Sequence, residues 1–180
     1  MPLPILLAVE DEPAVNRDLE RDLAKRYRAD YEVVVKSSPG DALEALSQAQ
    51  RTATPVALMI ASLRLREMAG IDFIMRGHEL HPLARRALLV GVSDSEAVGM
   101  MEQAFTLNRV DSYLTKPWDP ADEWLHPTVA ELLREWVRDE LGPRSAVIQL
   151  IGDLWEPRCY RLKDLLDRNG LPYAYYPADS

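Results

Sequence analysis

Three short segments concentrate the side chains that could do chemistry. The apolar run Ile5-Leu6-Leu7-Ala8-Val9 ends in the acidic cluster Glu10-Asp11-Glu12 and then Pro13. A second run, Val56-Ala57-Leu58-Met59-Ile60-Ala61, ends at Ser62 and continues as Leu63-Arg64-Leu65-Arg66-Glu67-Met68-Ala69-Gly70. The third, Asp111-Ser112-Tyr113-Leu114-Thr115, ends in Lys116-Pro117. Neighbouring carboxylates supply the hard oxygen ligands that Mg²⁺ takes in an octahedral shell that keeps several waters. A serine hydroxyl is a weak nucleophile unless a base adjoins it. The chemistry open to these groups therefore depends on whether the fold brings the ends of the three runs together.

The pattern around them predicts that it does. Apolar runs at 4–9, 32–36, 56–61, 86–92 and 110–114 alternate with helical patterns, as in a parallel α/β sheet whose strands are covered on both faces. Val15, Leu19, Leu23 and Tyr27 recur every fourth residue and give one helix face. Ser38 before Pro39 reads as an N-cap with proline at the first helical position. Asp119-Pro120, with Asp122 three residues after the cap, reads as the start of a last helix whose stripe is Val129, Leu132, Leu133, Trp136 and Val137. Five βα units predict a flavodoxin-like, doubly wound five-stranded sheet of order 2-1-3-4-5, whose ligand site lies at the carboxyl ends of strands 1 and 3. The acidic cluster and Ser62 both fall there.

Composition narrows the function classes. The chain has 180 residues, 47% of them hydrophobic and 28% charged, in the range of globular domains that bury a core without staples. Net charge is 21 − 29 = −8, against a nucleic-acid surface, which needs clustered Lys and Arg. No stretch approaches the ~20 apolar residues of a membrane span and no signal peptide precedes the first strand, so no membrane association is expected. One cysteine makes no internal disulfide, and a cytoplasmic setting is the default. Of His78, His81 and His126, the first two share a helical face and read as a solvated helix end rather than a metal site.

These segments together resemble the response-regulator receiver (CheY-like) family over residues 1–140. The resemblance implies an aspartate that accepts a phosphoryl group as an acyl phosphate, with Mg²⁺ neutralising the oxygens. It matches Glu10 and Asp11 to the metal-binding acidic pair, the backbone carbonyl of Arg64 to the third protein ligand, and Lys116 to the lysine that contacts the phosphate. Lys116-Pro117 matches a bond that is usually cis, and Tyr113 the aromatic position of the switch. Two departures stand out. Ser62 occupies the acceptor position, so no acyl phosphate forms there. Val90, followed by Gly91, replaces the Thr or Ser that follows the phosphate; valine keeps the shape of threonine but donates no hydrogen bond. With the third carboxylate missing, Lys116 is expected to pair with Glu10 and Asp11, with weak Mg²⁺ binding as the alternative.

A break at Leu141-Gly142-Pro143-Arg144-Ser145 (linker 141–145) precedes a second βαβ pattern over 146–180. A strand is expected at 146–151, a helix from Arg161 to Asn169 with Leu162, Leu165 and Leu166 on one face and Gly170 as its cap, and a strand at Tyr173–Tyr176. A lone βαβ of this size does not bury both sheet faces, so further chain or docking onto the receiver is expected. The stretch Trp155-Glu156-Pro157-Arg158-Cys159 through Gly170-Leu171-Pro172-Tyr173 resembles the start of a glutaredoxin/thioredoxin-like domain. There Glu156 stands at the nucleophile position of the redox motif and Cys159 at the resolving position, so Cys159 is read as an inert buried thiol. The order of the two segments resembles the N-terminal part of fused response regulator/thioredoxin-reductase-like flavoproteins. No Gly-x-Gly-x-x-Gly fingerprint occurs, so FAD and NADPH would bind only in a longer parent chain.

The leading expectation is a non-enzymatic signal-transduction receiver that is not phosphorylated at Ser62 and regulates by protein contact, with a partner, its own downstream domain or a second copy. The contact surface is placed at 94–107, 110–114 and 121–139. The alternative is the regulatory portion of an FAD-dependent thioredoxin-disulfide-reductase-like enzyme. A conventional aspartyl-phosphate switch would need an aspartate at 62 and a hydroxyl at 90.

Overall fold

A computed structural model of the chain describes residues 2–177 apart from 93, 95–96, 108, 142–147, 153–155 and 169–172. It divides into two compact units, Met1–Trp136 and Val137–Ser180.

The first unit is built on five parallel strands, β1 (Ile5–Val9), β2 (Glu32–Lys36), β3 (Val56–Ser62), β4 (Arg85–Gly91) and β5 (Ser112–Lys116), in the order β2-β1-β3-β4-β5. Every residue of β1 and β3 is buried. That is why both read as unbroken apolar runs: helices cover the sheet on both faces. The edge strands β2 and β5 are only partly covered. Helix α1 (Pro13–Tyr27) buries Leu19, Leu23 and Tyr27. Helix α2 (Pro39–Arg51) starts where Ser38 Oγ accepts the Asp41 N–H at 3.1 Å, satisfying one orphan donor of the first turn. Helix α3 (Gly70–Leu80) buries Phe73 and Ile74, and α4 (Ala97–Thr106) follows β4. The side chains of Val129, Leu132, Leu133 and Trp136 turn inward from the last helix of the unit.

Three details depart from the sequence reading. The fifth strand begins at Ser112, not 110, because the Asp111 carboxylate takes the Arg86 backbone N–H at 2.8 Å and the Arg86 guanidinium at 3.0 and 2.9 Å. A side chain that captures a ladder donor delays the pairing, which starts at Ala87↔Ser112. The last helix is two helices, α5 (Ala121–Trp124) and α6 (His126–Leu141), and the side chain of Asp119 does not cap the first. Pro127 has no N–H to give to the carbonyl four residues back, so the first turn cannot propagate. The His78/His81 helix end is half-buried rather than solvated, with His81 Nε2 2.9 Å from the Leu46 carbonyl.

In the second unit β6 (Ile148–Gly152), α7 (Pro157–Arg168) and β7 (Tyr173–Pro177) form a βαβ with parallel pairing from Ile148↔Tyr173 to Gly152↔Pro177. Cys159 and Leu166, seven residues apart on one helix stripe, are buried. Leu162 and Leu165, expected inward, are 45% and 55% exposed, since two strands offer only a narrow strip to cover. The Tyr175 hydroxyl donates to the Gly152 carbonyl at 2.6 Å. Residues 142–145 of the expected linker, the first two residues of the expected strand at 146–151, Trp155, and the stretch 169–172 with the Gly170 cap lie outside the described residues. No helix among the described residues is long and apolar enough to cross a membrane.

His126 opens α6 with its ring buried edge-on to Tyr27, 5.5 Å between centroids, and its Nδ1 without a partner. Burial, reinforced by Arg26 and Lys25 of α1, holds its pKa below the usual histidine value against the opposing pull of Asp122 and Asp22. A histidine whose pKa is depressed on folding binds its proton more readily when unfolded. Its stabilising contribution is therefore complete above pH ~6.5 and is lost as pH falls through the folded value. His78, lowered chiefly by burial, acts with the same sign. The urea midpoint is expected to fall between pH 7 and 5, and to fall less steeply in His126→Gln; an unaltered slope would contradict this assignment.

Candidate functional site

The register of the sheet sets the site. Val9 lies opposite Ala61, and Gly91 opposite Lys116. The residues just past β1, at the end of β3 and at the end of β5 thus emerge along one edge. Glu10 is fully buried, Ser62 is 1% exposed, and Lys116 reaches both. Its ammonium donates to Glu10 Oε2 at 2.8 Å and to Ser62 Oγ at 3.0 Å. The other Glu10 oxygen accepts the Glu12 N–H at 3.0 Å. Asn16, from the first turn of α1, donates to the carbonyls of Glu10 at 2.7 Å and Lys36 at 3.0 Å, tying the acidic loop to the edge strand.

Asp11 turns the other way. It accepts the Arg66 backbone N–H at 2.7 Å, and the Arg66 guanidinium lies 3.8 Å away. The sequence reading placed Asp11 beside Lys116; its cation instead comes from the loop after β3. Arg64 in that loop is paired through its side chain with Asp94, at 2.8 and 3.1 Å. Neither Arg66 nor Asp94 is marked by any motif, since each partner lies 30 or more residues away in the chain. Gly70 closes the loop: a Cβ there would stand 2.0 Å from the Ser62 carbonyl oxygen, so the start of α3 approaches β3 more closely than any side chain permits.

Val90 is 6% exposed and pairs with Thr115. Tyr113, on β5, is 46% exposed. The Lys116-Pro117 peptide is cis, as is Asp119-Pro120. Beyond Lys116 a cleft of about 940 Å³ runs between α1 and residues 116–122. Trp118 closes its floor, its indole N–H donating to Asp22 at 2.9 Å. Glu156 and Cys159, in the second unit, flank the first turn of α7; Glu156 is exposed, and the Cys159 thiol packs toward Gly152, where a Cβ would lie 3.2 Å from its sulfur.

These positions restrict the chemistry. Ser62 is covered, and the neighbouring nitrogen is the donor of an ion pair, so no base is aimed at the hydroxyl. As arranged, the oxygens do not fit a hard dication. Both oxygens of Glu10 and one of Asp11 are engaged by N–H groups, and two cationic side chains stand where a metal would be drawn in. Among the described residues no group of three or more His, Cys, Asp or Glu side chains is placed to hold a metal.

No family model matches the chain. The hydrogenase transcriptional regulatory protein HoxA of Bradyrhizobium diazoefficiens is 30% identical over 131 residues, which is 72% of this chain and 24% of that protein. The REC domain of AraT, a response regulator from Geobacillus stearothermophilus, superposes with a TM-score of 0.59 at 25% identity, covering 78% of this chain and 99% of that one. A CheY-like receiver domain protein from Methanospirillum hungatei gives 0.60 at 24% identity, covering 76% and 98%. The fold is that of the response-regulator receivers. A signal receiver domain of an HD-domain protein from Pseudomonas fluorescens agrees, with a TM-score of 0.63 at 23% identity over 78% and 93%. Against that receiver frame, the ends of β1, β3 and β5 carry Glu10, Ser62 and Lys116, and the chain spans 24% of the length of its HoxA relative.

Removing one partner of a buried ion pair strands the other. Lys116→Ala is expected to destabilise the chain by about 3 kcal/mol, read from the urea midpoint. Adding Glu10→Gln, which removes the stranded charge and keeps an oxygen for the Glu12 N–H, should recover part of that loss. A double variant no more stable than Lys116→Ala would show that Glu10 is not the group left unpaired.

Proposed function

We propose that this chain is a receiver-type signalling module that is silent toward aspartyl phosphorylation and acts through protein contact. The observation that carries the reading is the filled acceptor position: the Ser62 hydroxyl, covered and hydrogen-bonded to Lys116, stands where the receiver resemblance expects a carboxylate. Val90, apolar and buried, supplies no hydroxyl to follow a phosphoryl group. Lys116 and Arg66 serve as the internal counter-ions of Glu10 and Asp11, so Mg²⁺ is not required.

What remains for function is surface. Around α4 and β5 the exposed apolar side chains among the described residues are Val92, Met100, Leu107 and Tyr113; a second copy or a downstream domain docks there in this reading. The similarity to a transcriptional regulator fits a role in signal-dependent control. A second reading rests on the separate βαβ unit with Glu156 and Cys159 at the start of α7: the chain serves as the regulatory front of a longer flavin-dependent disulfide reductase.

Intact mass after incubation with Mg²⁺ and a small acyl-phosphate donor separates these ideas. No adduct is expected on the natural chain, and Mg²⁺ alone should leave the unfolding midpoint unmoved, because only a ligand of the folded state raises it. A phosphoryl adduct on the natural chain would overturn the silent-receiver reading, and labelling of Ser62→Asp alone would assign the silence to that one residue. For the contact surface, Met100→Glu or Tyr113→Glu should weaken self-association or partner capture at least tenfold, while Ser62→Ala leaves either unchanged. The opposite ranking would move the function back to the pocket.

A further inference from the structure

The loop after β4 is anchored in an unusual way. Val92 still receives support from the sheet, its N–H donating to the Lys116 carbonyl at 3.1 Å. Beyond it Asp94 makes the turn into α4, donating to the Gly91 carbonyl at 3.0 Å and accepting the Ala97 N–H at 3.1 Å. Its carboxylate, 20% exposed, is held in a two-pronged pair by Arg64, which sits two residues past Ser62 in the loop after β3. Two loops at the site edge are thereby joined by a planar guanidinium–carboxylate contact, the ion-pair geometry with the strongest directional preference.

The inward side chains described on α4 are the methyl groups of Ala97 and Ala104, with Met101 partly buried. Each of these two alanines buries less apolar area than Phe73 or Ile74 of α3. Gly99 weakens the helix: a Cβ there would meet nothing within 4 Å, so no close approach demands glycine, and its backbone freedom favours opening. A glycine in mid-helix is a feature of an element that opens locally.

We infer that the Arg64–Asp94 pair is a latch that sets the position of α4, joining the loops after β3 and β4 without any phosphoryl group. Arg64 holds the Asp94 carboxylate, the Asp94 carbonyl accepts the Ala97 N–H at the start of α4, and α4 carries the exposed Met100. The consequence for partner binding rests on the surface reading above; the latch does not, and its test uses the chain alone.

Amide hydrogen exchange of the full chain reads it out. Arg64→Ala and Asp94→Asn should each speed exchange of the α4 amides about 2- to 5-fold, the range expected for a partly exposed ion pair. Amides of β1 and β3 should not change, which also verifies that the variants fold. The variant carrying both substitutions should match the single ones, because a pair is lost once. Molar salt should speed α4 exchange in the natural chain and not in the variants. Gly99→Ala should slow α4 exchange with the latch intact and, added to Asp94→Asn, return it toward the natural rate. Unchanged α4 exchange in both single variants, or multiplicative effects in the double one, would overturn the latch.

Discussion

The interaction on which the site depends is the ion pair between Lys116 and Glu10. A carboxylate with no exposure cannot remain charged without a partner, because its lost hydration must be replaced by fixed charges and N–H donors. Here the replacement is complete, with one oxygen on the Lys116 ammonium and the other on the Glu12 amide. The two residues are 106 positions apart, and they meet only because β1, β3, β4 and β5 pair in one register. A one-residue slip would turn every side chain of a strand to the opposite face. Sheet register and charge pairing therefore support one another, and the Ser62 hydroxyl, on the same ammonium, is a third member of that arrangement.

A second consequence is electrostatic closure. Two acidic residues at the sheet edge would attract a divalent cation if they stood alone. Lys116 meets one of them and Arg66 the other, so the edge is neutralised by groups that are part of the fold. This moves any capacity for change away from the pocket. The central strands β1 and β3 are buried throughout, whereas α4 carries a glycine in mid-helix.

Much of the fold was legible because it is written in local pattern. The apolar runs at β1 and β3, the four-residue spacing of Leu19, Leu23 and Tyr27, and the Ser38-Pro39 start of α2 each follow from short-range rules. The ends of β1 and β3 were legible for the same reason, and they carry Glu10 and Ser62. What escaped was decided between elements. Asp111 looked like the second residue of a strand until Arg86, from the neighbouring strand, claimed its carboxylate. Asp119 looked like a cap, but Pro127 breaks the helix that it would have opened. Asp11 looked like a partner of Lys116, and the loop after β3 brought Arg66 instead. In the second unit the leucine pattern was read as one buried face, whereas a two-stranded sheet has width for only Cys159 and Leu166.

The amino-acid sequence by itself determined the strand and helix types, the order of the sheet and the absence of a carboxylate at position 62. Those follow from periodicity, capping and residue identity, which act over a few positions. Tertiary structure alone decided which cation serves which carboxylate and that Arg64 and Asp94 join two loops. Such pairings depend on distances of a few ångströms between residues 30 to 106 positions apart. The Coulomb and hydrogen-bond energies that select among them vary steeply over that scale, and no short-range pattern in the chain encodes it.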